Sequence, residues 1–201
     1  MLKVGITGNI GSGKTTVSKI FEVLGIPVFY ADDAAKEAMV TDHLLISGIR
    51  NTFGSQAYFE DGTLNRKYIA NIVFNNDDEL NKLNALVHPA TFRAFDEWLK
   101  TVGGVPYILK EAAVLFESGS FKLCDYSIMV SAPLELRIKR VMERDGLTRE
   151  QIISRESRQF DEEKKSALAD FIIVNDEVQM VIPQALELHQ KLCSFAGSRV
   201  S

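Results

Sequence analysis

Apolar positions along the 201-residue chain fall into two patterns. Short, nearly continuous apolar runs read as buried strands: Leu2–Thr7, Ile26–Tyr30, Pro106–Glu111, Tyr126–Ser131 and Phe171–Val174. Between them apolar residues recur at helical spacing. Val17, Ile20, Phe21 and Leu24 share one face, as do Leu134, Ile138 and Val141, and the last helix turns Leu186 and Leu192 inward. Gly25 ends the first helix, while Pro133 and Pro183 open later ones. Strands alternating with helices predict an α/β fold with a parallel sheet. From Ala34 to Val102 no strand pattern stands out. Helical spacing is found instead at Leu80, Leu83 and Val87, and again at Phe95, Trp98, Leu99 and Val102. Asp77-Asp78 suits a helix N-terminus, and Pro89 is expected to break or kink the run after His88. This stretch is too long for a plain crossover and predicts a helical insertion between the second and third strands.

The first strand runs directly into Gly8-Asn9-Ile10-Gly11-Ser12-Gly13-Lys14-Thr15, and a helical pattern follows. The stretch fits G-x-x-x-x-G-K-[ST], a phosphate-binding loop. Gly8, Gly11 and Gly13 let the backbone turn and approach an anion closely. Successive N–H groups and the helix N-terminus favour negative charge there. Lys14 can reach the β- and γ-phosphates of a nucleoside triphosphate, and the Thr15 hydroxyl can ligate Mg²⁺. Ser12 and Thr16 flank these groups.

Composition narrows the partners. Hydrophobic content of 46%, charged content of 25% and a net charge of −4 suit a soluble globular chain without a basic footprint for nucleic acid. No apolar run reaches membrane-span length. The N-terminus enters a strand at once, without a secretory signal. Cys124 and Cys193 are far apart and read as buried free thiols. These features point to the cytoplasm.

Asp32 follows the second strand, at the end of the sheet where ligands bind in open α/β folds. A carboxylate there can orient an attacking hydroxyl and take its proton, or it can cap a helix starting near Ala34. Glu111 ends the third strand. Taken alone it reads as a solvated strand end. Six of the ten arginines lie between positions 137 and 158. Arg137, Arg140 and Arg144 fall on one helical face, which predicts a lid whose guanidinium groups meet phosphates. The interspersed acids Glu143, Asp145, Glu150 and Glu156 allow the alternative of a balanced, solvated face.

On these residues the chain resembles P-loop small-molecule kinases, and within them the dephospho-CoA kinase family. Gly5 through Thr15 is similar to that family's opening, where glycine is more usual at position 9. Val28-Phe29-Tyr30-Ala31-Asp32 resembles its V-x-D-A-D segment, with Tyr30 in place of the first aspartate. Leu86-Val87-His88-Pro89 resembles its I/V-H-P signature. Leu115-Phe116-Glu117 is similar to the end of P-L-L-F-E, with Ala113-Val114 in place of Pro-Leu. Arg140, Arg144-Asp145-Gly146, Arg155 and Gln159 resemble its lid, and Ala169 through Asn175 its A-D-x-x-I-x-N close.

The resemblance implies a three-layer P-loop NTPase fold with a five-stranded parallel sheet in the order 2-3-1-4-5. It implies a core of residues 1–33, 103–136 and 168–201, an acceptor-binding helical subdomain at 34–102 and a lid at 137–167. The implied reaction is transfer of the ATP γ-phosphate, with Mg²⁺, to the ribose 3′-hydroxyl of dephospho-CoA. Asp32, Lys14 and Arg140 are the implied catalytic residues. ATP would meet Gly8, Gly11, Ser12, Gly13, Lys14, Thr15, Thr16, Arg140 and Asn175. The acceptor would meet Asp32, His88, Phe116 and Glu117, and the metal Thr15 and Glu111. Another small-molecule or nucleoside monophosphate kinase is the alternative, separated only by the family-like motifs. A regulatory NTP switch fits less well, because no N-K-x-D motif occurs.

Overall fold

The computed structural model describes residues 1–74 and 76–198. In chain order the elements are β1 (Leu2–Thr7), α1 (Lys14–Val23), β2 (Val28–Tyr30), α2 (Ala31–Thr41), α3 (His43–Phe53), α4 (Arg66–Val73), α5 (Asp77–Thr101), β3 (Tyr107–Glu111), β4 (Tyr126–Ser131), α6 (Leu134–Asp145), α7 (Arg149–Glu156), α8 (Glu162–Leu168), β5 (Phe171–Val174) and α9 (Val181–Ser198). They form two compact units, Met1–Tyr30 with Val102–Ser201, and Ala31–Thr101.

The first unit is an α/β sheet in the order β2-β3-β1-β4-β5, every pair parallel. Register aligns the strands' carboxyl ends. Ile6 pairs with Glu111 and with Ile128, Tyr30 with Glu111, and Ser131 with Val174. The segments beginning at Gly8, Ala112, Ala132 and Asn175 therefore leave the same edge of the sheet. Alternate residues Leu2, Val4 and Ile6 pack with Val17 and Phe21 of α1 and with Ala185, Leu188 and Leu192 of α9. Each such large aliphatic side chain contributes about 1.5–3 kcal/mol on full burial.

Several boundaries differ from the sequence expectation for physical reasons. β2 begins at Val28, because Pro27 has no N–H to donate, although its carbonyl accepts from Leu109 N at 2.9 Å. Leu134 and Leu186, expected inward, are each 39% exposed. In α6 the inward positions are Arg137, Ile138 and Val141, and in α9 they are Ala185, Leu188, Leu192 and Ala196. Leu186 is one residue, roughly 100°, off that stripe. Cys124 and Cys193 are free but only half-buried, and burial pushes the Cys124 thiol up to about 11.

The second unit is helical. Its core joins Leu45, Ile49 and Phe53 of α3 to Ile69 of α4 and Leu83, Val87 and Ala90 of α5. α5 runs unbroken through Pro89. Pro89 and Ala85, whose carbonyl the ring deprives of a donor, both face solvent, where water can serve that carbonyl. The inward residues Val87, Ala90, Thr91 and Phe95 hold the helix on either side of it.

Candidate active site

Gly8 through Gly13 form the turn from β1 into α1, and Lys14, Thr15 and Thr16 open the helix. Gly13 is the N-cap at φ 86°, in the left-handed region, and no side chain caps the helix. The first N–H groups of α1 are thus left for an anion. A Cβ on Gly13 would lie 2.2 Å from Asn175 Nδ2, and one on Gly11, at φ 80°, 2.4 Å from the Arg137 carbonyl oxygen. Both positions have a backbone angle that favours glycine, and at Gly11 the backbone oxygen also leaves no room for a side chain. Ser12 is buried and its hydroxyl has no protein partner. Thr16 lies in the first turn of α1.

Lys14 and Thr15 meet at one carboxylate. Lys14 Nζ is paired with Glu111 Oε1, and Thr15 Oγ1 donates to Glu111 Oε2 at 3.2 Å. Glu111 is buried, so it is not a solvated strand end. Its pairing with Ile6 across the β1–β3 ladder brings it beside the loop. Hydroxyl and carboxylate are hard oxygen donors of the kind Mg²⁺ takes, and Mg²⁺ typically needs only one or two protein ligands besides phosphate and water. No larger group of His, Cys, Asp or Glu with metal-binding geometry occurs among the described residues.

The arginines of α6 are not equivalent. Arg137, 3% exposed, donates to the Ala132 carbonyl at 2.9 Å and to Glu156 Oε2 at 2.7 Å, and also approaches Glu162 at 3.5 Å. It is a buried anchor, which corrects the expectation of three arginines aimed at phosphate. Arg144 is exposed and pairs with Asp145. Arg140 Nη2 donates to the Asn175 carbonyl at 3.1 Å and to Glu177 at 3.2 Å, while its Nη1 is buried without a partner. Asn175 Nδ2 donates to the Ser12 carbonyl at 2.8 Å. Arg140, Asn175 and the phosphate loop therefore form one connected group.

Asp32 does not cap a helix beginning near Ala34. α2 starts at Ala31, and Asp32 and Asp33 lie in its first turn, where acids favour the helix dipole. Asp33 pairs with Lys36 on the surface. His88 sits half-buried on α5, and that burial holds its pKa below the ordinary histidine value. Phe116 is buried, 5.5 Å from the Phe121 ring between centroids. Glu117 Oε1 accepts from Phe160 N at 2.8 Å and pairs with Lys165 at 3.0 Å.

Three residues around the loop carry more structure than their sequence signals. Asn9, noted only as a departure from glycine, is buried and donates to Glu156 at 2.8 Å and to the Phe160 carbonyl at 3.1 Å. Gln159 accepts from Ile10 N at 3.0 Å. Lys165 is fully buried. It stands in Glu162-Glu163-Lys164-Lys165, a run that reads as a solvated face, so no local signal marks it.

A family model described as dephospho-CoA kinase matches residues 2–180. A curated dephospho-CoA kinase from Bacteroides fragilis is 37% identical over 187 residues, covering 93% of this chain and 91% of its own length. A Thermus thermophilus crystal structure superposes with a TM-score of 0.84 at 34% identity, covering 94% of this chain and 96% of that one. A dephospho-CoA kinase structure from Campylobacter jejuni superposes with a TM-score of 0.69 at 27% identity, covering 96% and 97%. With its phosphate loop, its parallel sheet and a family match over most of its length, the chain belongs to the dephospho-CoA kinase family.

Proposed function

We propose that this chain transfers the γ-phosphoryl group of ATP to the ribose 3′-hydroxyl of dephospho-CoA, giving CoA and ADP. The observation that carries the reading is the convergence of Lys14 and Thr15 on buried Glu111 at the mouth of the phosphate loop, in a chain of this family. The 3′-oxygen bonds to the γ-phosphorus as the bond to the β–γ bridging oxygen breaks, and ADP leaves with that electron pair.

In this reading the uncapped start of α1 and Lys14 hold the phosphates. Thr15 and Glu111 would hold Mg²⁺, which would neutralise phosphate charge. Arg140 has a free buried Nη1 and supplies charge to the transferring group. Asp32 orients the acceptor hydroxyl and takes its proton. Phe116, Glu117 and His88 contact the acceptor. Residues 34–102 form the acceptor-binding subdomain, and residues 137–167 form a lid that moves with nucleotide. The working compartment is the cytoplasm. No helix among the described residues is long and apolar enough to cross a membrane, and the net charge of −4 gives no pull toward nucleic acid.

The test is a panel of acceptors with ATP and Mg²⁺ and a coupled ADP readout. Dephospho-CoA should give turnover well above shikimate and nucleoside monophosphates. Preference for one of the others would overturn the reading.

A further inference from the structure

The Ala113 carbonyl oxygen is a meeting point. It accepts from Lys165 Nζ at 3.0 Å, from Gln159 Nε2 at 3.3 Å and from Thr7 Oγ1 at 3.3 Å. The donors come from three places: the end of β1, the turn before α8, and α8 itself. Three donors on one carbonyl hold the backbone more tightly than hydrogen-bond satisfaction requires. Lys165 also pairs with Glu117 at 3.0 Å, four residues further along. Glu111, two residues earlier, pairs with Lys14. Segment 111–117 is thus pinned at each end by a lysine, Lys14 of α1 at Glu111 and Lys165 of α8 at Glu117.

Burial of a lysine ammonium is unfavourable without a carboxylate and further acceptors. Lys165 has relative exposure of 0%, and its burial pulls its pKa down against the pull of Glu117. A surface helix such as α8 gains little packing from a buried ammonium that an apolar residue would not supply better. Holding one backbone segment in one place is what the charge adds, since its acceptors have fixed directions.

We propose that Lys165 is a positioning residue for the acceptor side of the site, acting through the Ala113 carbonyl and Glu117 to set the 113–117 segment. The inference rests on the kinase reading above, in which Phe116 and Glu117 face the acceptor. Lys165 need not touch either substrate. Lys165 meets the Ala113 carbonyl and Glu117, whereas Lys14 and Thr15 meet Glu111, so loss of Lys165 acts selectively.

The experiment measures steady-state kinetics for wild type, Lys165→Met and Lys165→Arg, varying dephospho-CoA at saturating ATP and the reverse, with thermal melts. Lys165→Met should raise KM for dephospho-CoA about tenfold and change KM for ATP less than about twofold. Lys165→Arg should keep the acceptor KM within about threefold of wild type, because it can still serve both acceptors. If Lys165→Met does not fold, Lys165→Gln, which keeps a polar donor without the charge, takes its place, and its acceptor KM should be raised. A folded Lys165→Met enzyme whose acceptor KM is unchanged, or whose two KM values rise together, would overturn the proposal. Wild-type turnover on dephospho-CoA in the same assay separates that failure from a failure of the kinase reading.

Discussion

The α/β unit and the helical unit treat charge in opposite ways. Among the described residues, the buried charged side chains are Lys110, Glu111, Arg137 and Lys165, all in the α/β unit. Arg137 and Lys165 are paired across long stretches of chain with Glu156 and Glu117, and Glu111 is paired with Lys14. In the helical unit the i,i+3 pairs Lys36–Asp33, Lys82–Glu79 and Lys100–Glu97 lie at the surface. Such pairs contribute about 0–1 kcal/mol each. Stability there comes from the apolar packing of α3, α4 and α5. The difference teaches that one unit uses tertiary contacts to bury and pair charged side chains, while the other rests on apolar packing and keeps its charges at or near the surface.

Asp32 is where this contrast should break most sharply. It lies on the helical unit's first turn, yet the proposed mechanism makes it the base. Asp32→Asn should lower turnover by about 10²–10⁴-fold, or ~3–5 kcal/mol of barrier, with ATP affinity retained. Asp33→Asn is the neighbouring control and should be mild. Turnover of both variants at saturating substrates decides, and an Asp32→Asn enzyme within about threefold of wild type, under ~1 kcal/mol, removes Asp32 from that role.

Arg137 sharpens the contrast through stability. Arg137→Met leaves Glu156 and Glu162 without their buried partner, and breaking a buried pair costs about 3–5 kcal/mol. Denaturant unfolding should show the loss. A change below ~1 kcal/mol would mean that the arginine is solvated like those of the surface.

The helical unit should answer to apolar truncation instead. Ile49 is fully buried in its core, and Ile49→Ala should cost ~2–5 kcal/mol. Hydrogen exchange should quicken within 31–101. Acceleration spread evenly over both units would contradict the division.

The smallest effect concerns His88. Its burial favours the neutral ring, so the folded chain binds that proton less readily than the unfolded chain. Stability from this group is present above the ordinary value of 6.5 and falls as pH drops through it, levelling off once the folded form is also protonated. His88→Gln should remove that part of the acid slope in pH-dependent melts. An unchanged slope would show that His88 is ordinary.

Local backbone chemistry made much of the molecule readable in advance. The phosphate loop was legible because its glycines, Lys14 and Thr15 act within eight consecutive residues. β4 and β5 fell on the residues their apolar runs predicted: β4 is buried along its middle, while β5 is an edge strand whose run includes the exposed Ile172. The strand order came through the family likeness, because register between distant strands leaves no local trace. Tertiary structure alone decided the rest. Arg137 repeats the spacing of Arg140 and Arg144, yet only Arg137 finds Glu156 and Glu162 and becomes an anchor. Lys165 shares its run with exposed Lys164, yet it alone faces Glu117 and Ala113. Pro89 should disrupt a helix by its own chemistry, yet packing on the opposite face carries α5 through. In each case the deciding partner is far away in sequence, and a pattern read along the chain carries only what neighbours along the chain determine.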